Sequence, residues 1–167
     1  MAHRGDVAVD GLSGDGCGVL MHGVEGFVRV LAAEAGIALH EGPVAAGNVF
    51  LPRDGDAAQR CVTTLEAELG EAGVRVCGWR TVPADPAACG TLAQASMPDI
   101  RQLFVESDEA DPDALERVLF LARKRAEQAL REEPDFYVVG LSPRLLGYKG
   151  MVLPDRLPQL FPDLADP

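Results

Sequence analysis

The chain has 167 residues, of which 47% are hydrophobic and 25% charged, values typical of a globular domain with one hydrophobic core. Its formal net charge of −11 opposes unaided binding to nucleic acid or to an anionic membrane, because both are negatively charged. The sequence shows neither an apolar signal region nor a long uncharged apolar run, which predicts a cytoplasmic protein without a membrane segment.

Glycines at alternate positions mark the first distinctive stretch, residues 13–18. Glycine permits left-handed dihedrals and close backbone approach, so the stretch predicts a tight turn in which Asp15 bonds local amide groups. A Walker loop is excluded because Val19 and Leu20 follow the last glycine where Lys and Ser or Thr would be needed. A calcium loop is excluded because the closing Glu is absent. An anion-binding turn in an unrelated α/β domain stays open, although the net acidity opposes it.

Apolar spacing predicts alternating helices and strands along the rest of the chain. The expected elements are a helix over 27–35, a strand over 44–51, a helix over 56–72, strands over 74–82 and 100–105, a helix over 112–130, strands over 136–141 and 145–152, and a short helix from 154. Asp56 is expected to cap the second helix, and Gly73 to end it. Residues 84–98 are expected to be extended with one short helical turn, and residues 142–144 to form a hairpin-like turn. The pattern predicts a layered α/β or α+β fold, and the lack of a visible linker predicts a single domain over residues 1–167.

The cysteines and histidines give no metal or redox motif. The four cysteines lie far apart without a Cys-x-x-Cys pair: Cys17, Cys61, Cys77 and Cys89. Cys61 and Cys77 are expected to be core thiols. No metal site is predicted. The basic run at residues 123–125 is expected to be a solvated face that complements the helix dipole.

Nine short segments, in order along the whole chain, resemble the glutamine amidotransferase domain of the glutamate synthase large subunit. They are Ala2-His3-Arg4-Gly5, Ser13-Gly14-Asp15-Gly16-Cys17-Gly18, Val49-Phe50-Leu51-Pro52, Gly78-Trp79-Arg80-Thr81-Val82-Pro83, Leu119-Phe120-Leu121-Ala122-Arg123-Lys124-Arg125-Ala126-Glu127, Asp135-Phe136-Tyr137, Leu141-Ser142-Pro143-Arg144, Tyr148-Lys149-Gly150-Met151 and Phe161-Pro162-Asp163-Leu164. Two positions depart from the family's pattern: Cys17 stands where alanine is usual, and Met97 where arginine is often found.

The resemblance implies an N-terminal-nucleophile hydrolase fold, in which two β-sheets pack face to face between helix layers (an αββα sandwich). It implies that the domain hydrolyses glutamine to glutamate and ammonia, which is used to make glutamate from 2-oxoglutarate. The family's FMN and iron–sulfur cluster belong to other domains, so no cofactor is expected in this chain. The implied partners are glutamine and the remaining glutamate synthase polypeptide or subunits, with no nucleic acid and no membrane.

The family's catalytic nucleophile is an N-terminal cysteine whose own α-amine serves as the base. This sequence begins at the His-Arg-Gly segment, and no stretch matches the family's later arginine motif or its Asn-Gly-Glu oxyanion motif. The resemblance therefore implies a domain incomplete at both ends, without a catalytic residue and inactive by itself. The alternative is a non-catalytic binding or assembly module that associates with synthase-type subunits.

The resemblance also assigns candidate site residues. Arg4 and Gly5 match the His-Arg-Gly segment on the active-site side of the fold and are expected to bind substrate. Gly14, Asp15 and Gly16 are expected to build the adjacent structural turn.

Cys17 would need a nearby base and oxyanion donors to replace the missing nucleophile, and His22 is the only histidine close to it in sequence. Trp79, Arg144 and Lys149 match family positions and are assigned to structure.

Overall fold

A computed structural model describes residues 9–165, and these form two compact units. Within the described range, the first unit comprises residues 9–20, 82–97 and 147–165, and the second comprises residues 21–81 and 98–146. The strands are β1 Cys17–His22, β2 Val44–Leu51, β3 Arg75–Thr81, β4 Asp99–Glu106, β5 Tyr137–Val138 and β6 Leu145–Gly150. The helices are α1 Glu25–Glu34, α2 Gly55–Glu71, α3 Thr91–Ala95, α4 Pro112–Ala129 and α5 Leu157–Leu160, with 3-10 turns at Pro86–Ala88, Pro154–Arg156 and Pro162–Leu164.

The second unit is a four-stranded antiparallel sheet in the order β3-β4-β2-β5. The central pair is in continuous register from Val44 opposite Glu106 to Leu51 opposite Asp99. Helices α2 and α4 pack against each other, and their apolar stripes join one face of the sheet in a shared core. The fully buried members of this core include Val49, Leu65, Leu69, Leu103 and Leu119. Helix α1 contacts β2. The fold is thus a mixture of helices and antiparallel sheets, in agreement with the predicted combination of the two.

The helix boundaries follow from their capping residues. Asp54 caps α2, because its side chain accepts a hydrogen bond of 2.8 Å from the backbone N–H of Ala57. The prediction that Asp56 is the cap was therefore wrong: Asp56 lies in the first turn, where its negative charge complements the helix dipole. Asp111 caps α4 in the same way, with Pro112 following it in the first helical turn.

The predicted strand over residues 44–51 is confirmed with the same bounds, but the hairpin at residues 142–144 was wrong. Strands β5 and β6 belong to different sheets, since β5 pairs with β2 and β6 pairs with β1. After β5 the chain continues along β2, where the N–H of Val139 donates to Asn48 and Ser142 exchanges two backbone hydrogen bonds with Ala46. The hydroxyl of Ser142 then accepts from the N–H groups of two following residues, which turns the chain out of this sheet.

The first unit contains the short helices and the larger part of the two-stranded sheet of β1 and β6. Two buried aromatic residues of this unit, Tyr148 and Phe161, pack edge-on with ring centroids 5.2 Å apart. The Tyr148 hydroxyl donates a 2.7 Å hydrogen bond to Asp163. Residues 84–98 hold two short helical segments, a 3-10 turn and α3, where one had been predicted. No helix within residues 9–165 is long and apolar enough to cross a membrane.

Candidate functional site

The candidate site is the glycine turn of the first unit, and its organising side chain is Asp10. Oδ1 of Asp10 accepts hydrogen bonds from the backbone N–H groups of Leu12 at 3.1 Å and of Ser13 at 2.8 Å. Oδ2 accepts the Ser13 hydroxyl at 2.6 Å. One carboxylate thus closes the loop that leads into the glycines, in the manner of an Asx turn.

Asp10 and Ser13 also cap a helix that lies 80 residues further along the chain. The N–H of Leu92 donates to Asp10 at 3.2 Å, and the N–H of Ala93 donates to the Ser13 hydroxyl at 3.2 Å. The N-cap position of α3 is Gly90, which has no side chain of its own to satisfy these amides. A Cβ at Gly90 would overlap the Asp10 carboxylate, so glycine leaves the space that the distant cap occupies.

The hydrogen bonds at Asp10 stabilise its ionised form. The Ser13 hydroxyl has the largest effect on the pKa, followed by the Ser13 amide, and the Leu92 and Leu12 amides add to it. Together they hold the pKa of the Asp10 carboxyl well below its usual range, against the opposing effect of desolvation. The Asp10 side chain is therefore ionised at neutral pH and accepts these hydrogen bonds as a carboxylate.

The glycines that follow allow the turn to lie close to the backbone of residues 148–153. A Cβ at Gly14 would stand 3.2 Å from the carbonyl oxygen of Val152, and one at Gly18 would stand 2.7 Å from that of Tyr148. Gly16 has a φ of +112°, which is strained for residues with a side chain. Close approach therefore requires glycine at position 18 and leaves little room for a side chain at position 14, whereas the dihedral favours glycine at position 16.

The predicted site residues fall into two groups. Arg4 and Gly5 lie outside the described residues, and their substrate-binding role stays a prediction. Gly14, Asp15 and Gly16 lie in the turn at the start of β1, with the Asp15 side chain exposed. Their place beside a substrate site also stays a prediction.

Cys17 follows the turn, but its thiol is poorly suited to act as a nucleophile. Burial raises the pKa of the Cys17 thiol, and the neighbouring Asp155 carboxylate and Cys89 thiol raise it further. Catalytic cysteines need a lowered pKa, because the thiolate is the reactive form. The arrangement around Cys17 favours the neutral thiol.

The structure also places two of the other cysteines and the three residues that were assigned to structure. Cys61 is buried as expected, whereas Cys77 is only partly buried, because the edge strand β3 leaves its side chain partly accessible. The indole N–H of Trp79 donates to Glu66 at 2.8 Å, and Arg144 pairs with Asp113 at 2.6 Å. Lys149 is exposed on β6.

Sequence reasoning missed Asp10 and Ser13, which hold the turn together. The available signal was their spacing, since an Asp followed three residues later by Ser is typical of a local turn or cap. The partner helix, by contrast, is distant in the sequence and gave no local sign of the contact. Chemically, the described turn consists of backbone groups that are held in place by hydrogen bonds to the Asp10 carboxylate.

The antiparallel sheets, their helices and the glycine turn are consistent with a glutamine amidotransferase of class II, and the comparison of sequences assigns the family. Residues 1–167 match the class II glutamine amidotransferases, and the chain belongs to this family.

Its curated relatives are glutamate synthases. The chain is 36% identical over 168 residues to the glutamate synthase [NADPH] large chain of Azospirillum brasilense, which covers 98% of this chain and 11% of that protein. It is 34% identical to the corresponding large chain of Bacillus subtilis, with the same shares covered. It is 35% identical to the chloroplastic ferredoxin-dependent glutamate synthase of Oryza sativa, over 99% of this chain and 11% of that protein. The chain thus spans about a tenth of the length of these relatives.

Proposed function

We propose that this chain forms part of the glutaminase domain of a glutamate synthase, which hydrolyses glutamine to glutamate and ammonia for the synthesis of glutamate from 2-oxoglutarate. The observation that carries the proposal is the similarity to glutamate synthase large chains over 98% of the chain. Both units of the structure fall inside the matched region, which supports assigning them to one partial domain.

The architecture proposed for the domain is the αββα sandwich of N-terminal-nucleophile hydrolases. The four-stranded sheet, with α2 and α4 on one face, supports the assignment of one sheet of the sandwich and of the helix layer that covers it. The sheet of β1 and β6 has two strands, and sheets of this size are marginally stable alone. On this proposal β1 and β6 belong to the second sheet of the sandwich.

The substrate role falls on Arg4 and Gly5, with the turn at Gly14, Asp15 and Gly16 beside them. An arginine presents a planar fork of N–H donors that suits the carboxylate of an amino acid such as glutamine. The capped Asp10 turn would then serve as a rigid support for the segment that precedes it.

The flavin and the iron–sulfur cluster belong, on this proposal, to other domains of the synthase. An iron–sulfur cluster requires several cysteine thiolates at one place. Within residues 9–165 the four cysteines are free thiols, and no group of three or more His, Cys, Asp or Glu side chains is placed to hold a metal ion. The residues described here therefore do not fit a cluster.

The direct test is ammonia release from glutamine labelled with nitrogen-15 in its amide group. The protein should be purified at the length at which its cell makes it, through an affinity tag on the chromosomal gene. The 167-residue chain alone should release no ammonia. A native protein that also carries the family's N-terminal cysteine and later motifs should release labelled ammonia, with a loss of about a hundredfold or more in the Arg4→Ala variant and partial recovery in Arg4→Lys. The exposed Arg53→Ala variant is the matched control and should retain full activity.

Three results would count against the proposal in different ways. No ammonia release, combined with co-purification of synthase-type subunits, would favour the non-catalytic assembly module. Loss of activity in a folded Cys17→Ser variant would contradict the assignment of the nucleophile to a cysteine outside this sequence. Equal activity in native protein and Arg4→Ala would remove Arg4 from the substrate site.

A further inference from the structure

The outer face of α4 combines cationic and large apolar side chains. The helix directs Leu115, Leu119, Ala122 and Ala126 into the core of the second unit. The opposite surface, called here the α4 outer face, consists of Arg117, Phe120, Leu121, Lys124 and Arg125, all of which are exposed.

Two apolar residues at the middle of this face are open to solvent. Phe120 is 51% exposed and Leu121 is 53% exposed. The Phe120 ring lies 5.4 Å from the guanidinium carbon of Arg123 and 5.9 Å from the Lys124 ammonium nitrogen, distances at which cations interact with aromatic rings. Aromatic residues and arginine are enriched at the centres of protein interfaces, whereas scattered single apolar residues need no such explanation.

The segment that carries the α4 outer face, residues 117–131, is cationic, whereas the whole chain is acidic. Residues 117–131 contain five of the 15 Lys and Arg residues and a single acidic residue, Glu127, although the whole chain has a net charge of −11. Glu127 pairs with Lys124 at 2.6 Å and with Arg123 at 3.4 Å. Arg125 has no ion-pair partner within residues 9–165. Arg117 pairs with Asp111 at 4.0 Å. The unneutralised cationic charge of the face is therefore that of Arg125, together with Lys124, which shares Glu127 with Arg123.

The charge pattern discriminates among possible occupants of the face. A two-fold dimer through this face would place like charges against each other, which is unfavourable. Contact between this face and an acidic region of another copy would be head-to-tail and would produce a ring or an open filament, neither of which is a two-fold dimer. Nucleic acid and anionic membranes carry negative charge over an extended surface, which the acidity of the rest of the chain repels. A protein whose carboxylates surround one apolar pocket places its negative charge against the cationic face alone.

We propose that the α4 outer face is a docking surface for an acidic protein partner, with Phe120 and Leu121 entering an apolar pocket that carboxylates surround. The cations Arg117, Lys124 and Arg125 would pair with those carboxylates and set the orientation of the partner. The proposal does not depend on whether the chain belongs to an active glutaminase.

The test uses the 167-residue protein and a synthetic probe, without glutamine. The probe is a fluorescein-labelled helical peptide with leucines along one face and glutamates on both sides of them, and binding is followed by fluorescence anisotropy. We expect Leu121→Ser and Arg125→Glu each to weaken binding about tenfold. A peptide of the same composition in scrambled order should bind the native protein more weakly.

Two control variants separate this face from general effects. Val30→Ser removes an apolar side chain that is 54% exposed on α1, and Arg53→Glu makes the same change in net charge as Arg125→Glu at a position outside α4. Both should change the affinity by less than about twofold, as expected for positions outside an interface. Circular dichroism should show the same helix content in all four variants, since each replaced side chain is exposed.

The proposal is overturned if the peptide does not bind or if the controls weaken binding as much as the α4 variants. It is also overturned if a DNA duplex or vesicles of phosphatidylglycerol bind this face more tightly than the peptide. Sedimentation that shows self-association lost in Leu121→Ser would assign the face to copies of this chain instead.

Discussion

The two units are stabilised by different kinds of interaction. In the second unit, helices α2 and α4 bury apolar side chains against a four-stranded sheet, and many of these side chains are fully inaccessible. In the first unit, the glycine turn depends on a carboxylate, a hydroxyl and close backbone contacts. Apolar burial is non-directional and is spread over many residues, whereas the polar turn depends on a few atoms placed at hydrogen-bonding distance. Substitutions should therefore act through lost volume in the second unit and through lost donors and acceptors in the first.

The largest effect is expected from truncation in the core of the second unit. Leu119 on α4 has no exposed surface, and Leu119→Ala would lose buried contacts and leave a cavity. We expect the free energy of unfolding to fall by about 3 to 4 kcal/mol. Urea denaturation can be followed by the fluorescence of Trp79, the single tryptophan, which lies in the second unit. Leu121→Ala on the exposed side of the same helix should change the free energy by less than about 0.5 kcal/mol, and comparable losses in both variants would contradict the assigned packing.

A smaller loss of stability is expected at Gly47, where β2 lies close to the segment that follows β5 in the same unit. A Cβ at Gly47 on β2 would overlap the carbonyl group of Gly140, so Gly47→Ala must displace the chain that follows β5. The expected cost is about 2 to 3 kcal/mol, measured by the same urea titration. Gly70→Ala is the matched control, because Gly70 lies inside α2 with open space around it. That variant should gain about 0.5 to 1 kcal/mol from the higher helix propensity of alanine. An unchanged free energy of unfolding in Gly47→Ala would show that the two segments can move apart at no cost in stability.

The elements of the second unit were largely predictable, because each has a local pattern. Apolar spacing gave the bounds of β2 to the residue and located α4. The partners of the strands were not predictable in this way. Residues 136–152 contain two β-rich runs with a turn signal between them, which is the local pattern of a hairpin. The strands nevertheless pair with β2 and β1, because pairing depends on contacts distant in sequence.

Much less of the candidate site was predictable. The alternate glycines indicated a turn, and Gly16 does adopt a positive φ. The capping of α3 by Asp10 and Ser13 joins residues about 80 positions apart, so no local pattern could reveal it. The substrate roles of Arg4 and Gly5 came from the family resemblance and remain a prediction.

Removal of the Ser13 hydroxyl should test whether hydrogen bonds hold the glycine turn and α3 together in the first unit. Ser13→Ala loses the acceptor for the Ala93 amide and the donor to Asp10, at a cost of about 1 kcal/mol as for other helix caps. Hydrogen–deuterium exchange of the α3 peptide should accelerate about fivefold, while exchange in β2 and β4 stays unchanged. Ser96→Ala at the other end of α3 serves as the control and should leave the exchange of the Leu92 and Ala93 amides unaltered. Acceleration throughout the chain would mean that the two units unfold together and that the effect is not confined to the cap.

The smallest effect concerns pH and follows from the charge on Asp10. Since its pKa is lower in the folded chain than in the unfolded chain, ionised Asp10 stabilises the fold above the ordinary carboxyl pKa of about 3.9. The contribution decreases as the pH falls below that value toward the folded pKa, because protons then bind the unfolded chain first. Asp10→Asn has no charge to lose, and its one carboxamide oxygen replaces one of the two acceptor oxygens of Asp10. The protection of the α3 amides in the native protein should therefore exceed that in Asp10→Asn near neutral pH, and the difference should narrow as the solution is acidified. A difference that stays constant from about pH 7 to about pH 3 would show that the hydrogen-bond geometry, and not the ionised carboxylate, provides the stabilisation.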